Sequence, residues 1–203
     1  MKIICIGRNY VNHIEELNNE RPSEPVIFMK PDSALLQKQF PFVIPEFTTD
    51  VHYEIELIVK INKVGKYIEP TFAHKYYDEI SVGIDFTARD LQDALKAKGL
   101  PWEKAKAFDG SAVIGDFVPK TNYTSVDDIN FELHKNGDTV QKSNAQFMLW
   151  KIDELIAEVS KYFTLRTGDV LFTGTPEGVG PVAAGDVLEG FLEGKQLFKI
   201  QVK

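Results

Sequence analysis

Glu54 and Glu56 stand two positions apart in the run His52-Tyr53-Glu54-Ile55-Glu56-Leu57. On a strand, such residues share a face, so both carboxylates project the same way. Like charges held that close must be solvated, protonated or neutralised by a cation. A third carboxylate, Asp85, closes the apolar run Ile80-Ser81-Val82-Gly83-Ile84, where an acidic residue needs a partner. Three carboxylates with room for water suit a hard divalent cation with oxygen ligands, Mg²⁺ or Mn²⁺. Spacing alone favours a plainer reading, a solvated polar strand face, because acidic i,i+2 pairs are common on exposed strands.

Other residues carry weaker signals. His13 and Glu16 are three apart on a short helical pattern, hence neighbours on one face. A carboxylate beside an imidazole orients the ring and can make a general base, although a surface ion pair is the commoner outcome. His52 shares the acidic face, and a satisfied structural histidine is the expected role because no second nitrogen ligand lies nearby. Lys106, in Trp102-Glu103-Lys104-Ala105-Lys106, and Arg89 and Gln92, just after Asp85, can bind a carboxylate or stay solvated. The stretch Thr173–Pro181 interleaves glycines and prolines, so its backbone can approach a ligand closely. It matches neither a P-loop nor a dinucleotide fingerprint.

Strands of alternating or apolar pattern are expected over 2–7, 26–29, 51–61, 80–86 and 170–173. The 51–61 strand is expected unbroken and half-buried, with Val51, Tyr53, Ile55, Leu57, Val59 and Ile61 on one face. Asn136-Gly137 signals a type I′ hairpin joining 131–134 to 138–141, and 187–192 pairs with 196–202 through Glu193-Gly194-Lys195. Helical patterns cover 9–17, with Val11, Ile14 and Leu17 in register, and Arg89–Lys98, stopped by Gly99. The longest runs over 147–163, with Leu149, Ile152, Leu155, Ile156 and Val159 on one stripe. The polar stretch Asn18–Pro25 reads as a loop. Strands outnumber helices without alternating with them, which excludes a doubly wound sheet and predicts a β-rich α+β fold.

The 203 residues carry 23 Lys+Arg against 30 Asp+Glu, a formal charge of −7 that argues against a nucleic-acid partner. No run approaches the roughly 18 apolar residues of a membrane span. The single cysteine, Cys5, cannot form an internal disulfide and reads as a small buried hydrophobe. With no secretory signal pattern, the expected compartment is reducing and cytoplasmic.

The order of these segments carries more than any one of them. Gly7-Arg8-Asn9-Tyr10 with His13 and Glu16, Phe28-Met29-Lys30-Pro31, the Glu54-Ile55-Glu56 pair, Asp85-Phe86-Thr87-Ala88-Arg89-Asp90-Leu91-Gln92, Lys106 and Thr173–Gly180 follow one another along the chain. This succession resembles the fumarylacetoacetate hydrolase family, most of all its small acylpyruvate hydrolases and oxaloacetate decarboxylases. The resemblance implies a mixed β-sandwich roll, a single catalytic domain over 1–203 without the extra N-terminal domain of larger relatives, and a homodimer. It implies Glu54, Glu56 and Asp85 as ligands of Mg²⁺ or Mn²⁺, and Lys106 beside the oxo acid and its enolate. It implies Arg89, Gln92 and Thr175 as substrate contacts, and His13 with Glu16 as a water-activating dyad. Lys30 matches the family's Lys-Pro pair near the site. The implied reaction is C–C hydrolysis of an acylpyruvate or fumarylpyruvate, or decarboxylation of oxaloacetate. Isomerisation or hydration of unsaturated oxo acids and a non-catalytic metal-dependent binding module are the alternatives.

Overall fold

A computed structural model of the chain describes residues 1–16 and 20–203. Leu17 and the first residues of the expected Asn18–Pro25 loop lie outside the described residues. The first half runs β1 (Ile3–Gly7), α1 (Val11–Glu16), β2 (Val26–Lys30), β3 (Val51–Tyr53), β4 (Ile55–Ile61), α2 (Pro70–Ala73), β5 (Tyr77–Asp85), β6 (Thr87–Ala88), α3 (Arg89–Ala97) and α4 (Glu103–Lys106). It continues β7 (Ala112–Ile114), β8 (Val118–Pro119), β9 (Asn130–Lys135), β10 (Asp138–Asn144), α5 (Ile152–Tyr162), β11 (Val170–Phe172), β12 (Gly180–Pro181), β13 (Val187–Leu192) and β14 (Lys195–Gln201).

The central sheet has the order β2-β1-β11-β4-β5-β7, with β8 also paired to β5. β1 and β11 are parallel, and the neighbouring pairs around them are antiparallel. The chain after β2 brings Leu35 into a bridge with Ala112 of β7, so the two edges of the sheet approach and the sheet curls into a roll. A four-stranded sheet, β10-β9-β13-β14, packs over β4 and β5, and β12-β3-β6 forms a small third sheet. This is the expected β-rich α+β roll. None of the described helices is long and apolar enough to cross a membrane.

Period-two burial explains the two sides of the central sheet. Ile4 and Ile6 of β1 and Leu57 and Val59 of β4 enter the main core. Ile3 and Cys5 of β1, Ile58 of β4 and Phe172 of β11 form a second cluster on the opposite side. Both faces of β4 are therefore buried, unlike the half-buried strand expected. The single 51–61 strand is also interrupted: β3 pairs with β6 and β12, whereas β4 joins the central sheet, and Glu54 lies at the break. Asp85 N–H still donates to Glu54 O at 2.9 Å, which keeps Glu54 level with the end of β5.

Both hairpins form as expected. Asn136 and Gly137 have φ of 56° and 92°, and Glu193 and Gly194 have 47° and 73°, as type I′ turns require. The long 147–163 helix is shorter than its pattern. Residues 148–151 are non-helical because Asn9 binds Trp150 N–H through Oδ1 and accepts Leu149 N–H at its own carbonyl. Helix α5 then starts where Glu154 accepts Lys151 N–H at 2.8 Å, so Leu149 is not on the helix.

Gly83 on β5 tests this packing. A Cβ there would stand 2.0 Å from Val113 O and 2.4 Å from Ile58 Cδ1. Gly83→Ala is expected to lower stability by about 1–3 kcal/mol, the range for overpacking. An unchanged urea midpoint would show that β5 and β7 are not apposed as described.

Candidate active site

Strand direction gathers the site. The C-terminal ends of β1, β11 and β5 and the N-terminal end of β4 lie along one edge of the sheet, following from the pairings Cys5↔Phe172, Phe172↔Ile58 and Ile58↔Ser81. Gly7 and Arg8, Thr173-Gly174-Thr175, Glu54-Ile55-Glu56 and Asp85 all emerge there. A cavity at that edge is lined by Arg8, His13, Phe28, Glu54, Glu56, Asp85, Arg89, Gln92, Lys96, Trp102, Lys106 and Thr175, among others.

Glu54, Glu56 and Asp85 are each at most 4% exposed, and one carboxylate oxygen from each lies within 4.8 Å of the others. Lys106 Nζ donates to Glu54 Oε2 at 2.8 Å, to Asp85 Oδ2 at 2.8 Å and to Thr87 Oγ1 at 2.6 Å. Arg89 Nη2 binds Glu54 Oε1, and Nη1 donates to Gln92 Oε1 at 2.6 Å. Burial pushes the Glu54 carboxyl up, but the Lys106 and Arg89 charges outweigh it and hold the group well below the usual carboxylate range. Glu56 goes the other way. Burial, then repulsion from Asp85, raises it well above that range, against one hydrogen bond from Gly174 N–H at 2.6 Å. Lys106 stays charged because Asp85 and Glu54 more than offset its burial.

These groups fit a divalent cation. Asp85 Oδ1 is buried without a hydrogen bond, although Lys30 Nζ stands 2.7 Å away as an ion pair. Glu56 is a buried carboxyl crowded by two others. A hard cation with oxygen ligands answers both defects.

His13 Nδ1 lies 3.2 Å from Glu16 Oε2. The carboxylate can only accept, so Nδ1 carries the proton and Nε2 is the basic nitrogen. Burial lowers the imidazole pKa despite the pull of Glu54 and Glu16, so the ring is neutral at pH 7. Glu16 Oε1 accepts Gly178 N–H at 3.0 Å, and Asn12 Nδ2 donates to Glu177, which ties α1 to the glycine-rich loop.

The cavity thus brings His13, Glu54, Glu56, Asp85, Arg89, Gln92, Lys106 and Thr175 together, with Glu16 behind His13. Lys30 meets this cluster only from behind, at Asp85. Its side chain is fully buried, does not line the cavity, and bonds Ser111 Oγ at 3.0 Å and the Lys106 carbonyl, so it supports Asp85 and α4 from below. His52 pairs with Asp50 at 3.0 Å outside the cavity lining, as a structural histidine.

Sequence patterns gave no hint of Gln141. Its Nε2 donates to Thr175 Oγ1 and Pro176 O, both at 3.0 Å, and its Oε1 accepts Ile55 N–H at 2.9 Å, between the two glutamates. A register shift between Thr139 and Gln141 re-aims the side chain, and hairpin periodicity cannot show that. Asn9 stands in the run Gly7-Arg8-Asn9-Tyr10. It is fully buried and donates to Thr173 O at 2.7 Å, fixing the start of the same loop.

Comparison with known proteins agrees with the fold. Residues 2–202 match the family described as Fumarylacetoacetate (FAA) hydrolase C-terminal. The oxaloacetate tautomerase YcgM of Escherichia coli K12 is 41% identical over 197 residues, 97% of this chain and 90% of that one. The mitochondrial oxaloacetate decarboxylase of Dictyostelium discoideum is 40% identical over 189 residues, 93% and 87% of the two chains. The crystal structure of fumarylpyruvate hydrolase from Pseudomonas aeruginosa in complex with Mn²⁺ and pyruvate superposes with a TM-score of 0.93 at 35% identity, covering 100% of this chain and 89% of that one.

Gln141→Met keeps the volume and removes the bonds to Thr175, Pro176 and Ile55. It is expected to lower stability by about 1–3 kcal/mol, the cost of buried groups left unpaired. Hydrogen exchange should speed up at Ile55. Unchanged exchange there would show that Gln141 does not hold the loop to β4.

Proposed function

The chain belongs to the fumarylacetoacetate hydrolase family, and we propose that it is a divalent-metal-dependent enzyme that releases an enolate from a small 2-oxo acid, by hydrolysis of an acylpyruvate such as fumarylpyruvate, by decarboxylation of oxaloacetate, or by both. One observation carries this reading: three buried carboxylates converge with a charged lysine, and a neutral, carboxylate-oriented histidine lines the same cavity.

Glu54, Glu56 and Asp85 would hold Mg²⁺ or Mn²⁺, which when bound supplies Lewis-acid stabilisation of negative charge on the 2-oxo oxygen. Lys106 adds a fixed ammonium at that oxygen, preorganised by Glu54, Asp85 and Thr87, so it needs no reorganisation as charge develops. Arg89, with Gln92 bracing its guanidinium, and Thr175 from the loop would orient the substrate carboxylate. For an acylpyruvate, His13 Nε2 takes a proton from water as the water attacks the distal carbonyl, and Glu16 stabilises the imidazolium that forms. For oxaloacetate no attacking water is needed, because CO₂ departs and leaves the same enolate.

A second reading is supported by the relative named oxaloacetate tautomerase. There His13 Nε2 would move a proton between carbon 3 and the enol oxygen, with Lys106 and the cation site unchanged in role. A purely binding module would not need a base, and the neutral His13 argues against it. The same reading takes residues 1–203 as one catalytic domain of a cytoplasmic homodimer, supported by family membership and the single buried thiol.

Glu54→Ala combined with Glu56→Ala should abolish Mn²⁺ binding by calorimetry and all turnover of oxaloacetate and acylpyruvates. Retained turnover would sink the metal-site reading. His13→Ala should cut acylpyruvate hydrolysis about 10²–10⁴-fold, the usual contribution of a general base, with a much smaller loss of decarboxylation. Equal losses would remove the water-activating role, and selective loss of enol-oxaloacetate ketonisation would favour the tautomerase reading.

A further inference from the structure

The reaction proposed above leaves part of the cavity wall without a task. Helix α3 presents Arg89, Gln92 and Lys96 at i, i+3 and i+7, and all three line the cavity. Arg89 reaches the carboxylate cluster, and Gln92 braces its guanidinium. Lys96 lies two turns further on, about 10 Å along the helix axis at 1.5 Å per residue. Its ammonium stands 5.8 Å from the centroid of the Trp102 ring. Trp102 in turn meets Phe28 edge-on at 6.0 Å, and both rings line the cavity. Among the described residues, Lys96 forms no ion pair with a carboxylate, and Asp93 on its own helix is an opposing charge that favours its protonated form.

Arg8 lines the same cavity from the end of β1. Its φ is 59°, in the left-handed region. Burial, and after it the charges of Arg89, Arg8 and Lys106, weaken the hold of Lys96 on its proton, with Asp93 acting against them. The lining contains four cationic side chains, Arg8, Arg89, Lys96 and Lys106, against three carboxylates, Glu54, Glu56 and Asp85. Arg89 and Lys106 already stand at ion-pair distance of Glu54 and Asp85, whereas Lys96 does not, so a divalent cation held by the carboxylates would leave the Lys96 end of the cavity positive. A 2-oxo monoacid returns one negative charge, and a diacid returns two.

We propose that Lys96 forms a second anion subsite that takes the distal carboxylate of the substrate, while Phe28 and Trp102 pack against the carbons between. Lys96 is then a specificity-determining residue that favours 2-oxo diacids over 2-oxo acids with neutral tails. This rests on the oxo-acid reading of the site, and it adds a requirement that the reading does not contain.

The test uses binding of uncleaved ligands, separate from turnover. In the Mn²⁺-loaded full chain, calorimetry should show 2-oxoglutarate binding about ten-fold or more tighter than 2-oxopentanoate, the scale of one charge-assisted contact. Lys96→Gln should bring the two within about three-fold of each other by weakening the diacid alone, and Lys96→Arg should keep the preference. Circular dichroism confirms that the variants fold, and the wild-type ligand pair tests the subsite even if one does not. Equal affinities in the wild-type protein, a preference that survives Lys96→Gln, equal weakening of both ligands, or no binding of either would each overturn the proposal. Absence of turnover on oxaloacetate and acylpyruvates, with the diacid preference intact, would instead strike the catalytic reading and leave the subsite standing.

Discussion

Three carboxylates share a buried space in which one oxygen from each lies within 4.8 Å of the others. At an effective dielectric of about 20, each such pair of charges repels by roughly 3–4 kcal/mol. Fully ionised and uncompensated, the three pairs would cost on the order of 10 kcal/mol, as much as the whole stability of an ordinary domain. The fold meets this in two ways. Lys106, Arg89 and Lys30 are brought to Glu54 and Asp85 at ion-pair distance. Glu56, left with one backbone N–H, has its proton affinity raised instead. The rest of the site follows from this balance, because each compensating cation must arrive from a different element.

That requirement accounts for features of the backbone that otherwise look arbitrary. The break between β3 and β4 lets Glu54 turn to Arg89 and Lys106 while Ile55 stays in the ladder against Ile84. Asp85 ends β5, and the bond from its N–H to Glu54 O holds the two chain ends level. Helix α4 is a single turn whose fold-independent stability would be negligible. It is held because Lys30 binds its last carbonyl from below and Lys106 is clamped by three oxygens from above. A cation that neutralises the carboxylates is thus also what fixes the helix that carries it.

Much of this was legible in the chain. Asn136-Gly137 and Glu193-Gly194 fixed two hairpins because so few residue pairs tolerate positive φ. The ordered series from His13 through Glu54, Glu56, Asp85, Arg89 and Lys106 named the groups that the cavity gathers. What stayed hidden depends on contacts between distant segments. An unbroken alternation over 51–61 cannot reveal that its two halves join different sheets. Leu149 fits the α5 stripe by period, yet Asn9, far away in sequence, claims the backbone of Leu149 and Trp150. Lys30 sits in a conspicuous Lys-Pro pair, but only the closing of the roll through Leu35 and Ala112 places it beneath Asp85. Gln141 was invisible because a bulge, not its strand period, aims it.

The site is divided between parts of very different rigidity. The charged cluster rests on β4, β5 and the buried residues beneath them, which open only with the domain itself. His13 rides on a six-residue helix, too short to persist alone, and that helix is held to the glycine-rich loop by the exposed bonds from Gly178 to Glu16 and from Asn12 to Glu177. Gln141 and Asn9 fasten the loop itself by buried bonds at Thr175 and Thr173. Strength therefore falls off in steps from the carboxylates to the loop to the histidine. Stabilising an enolate oxygen demands fixed charge, since reorganisation would consume the stabilisation it provides. The base role proposed for His13 tolerates a looser hold. Under the proposed function, the hierarchy of hydrogen bonds places each task on the part of the fold that can perform it, so substitutions in α1 and the loop tip would alter which reaction the enolate serves without disturbing the cluster proposed to form it.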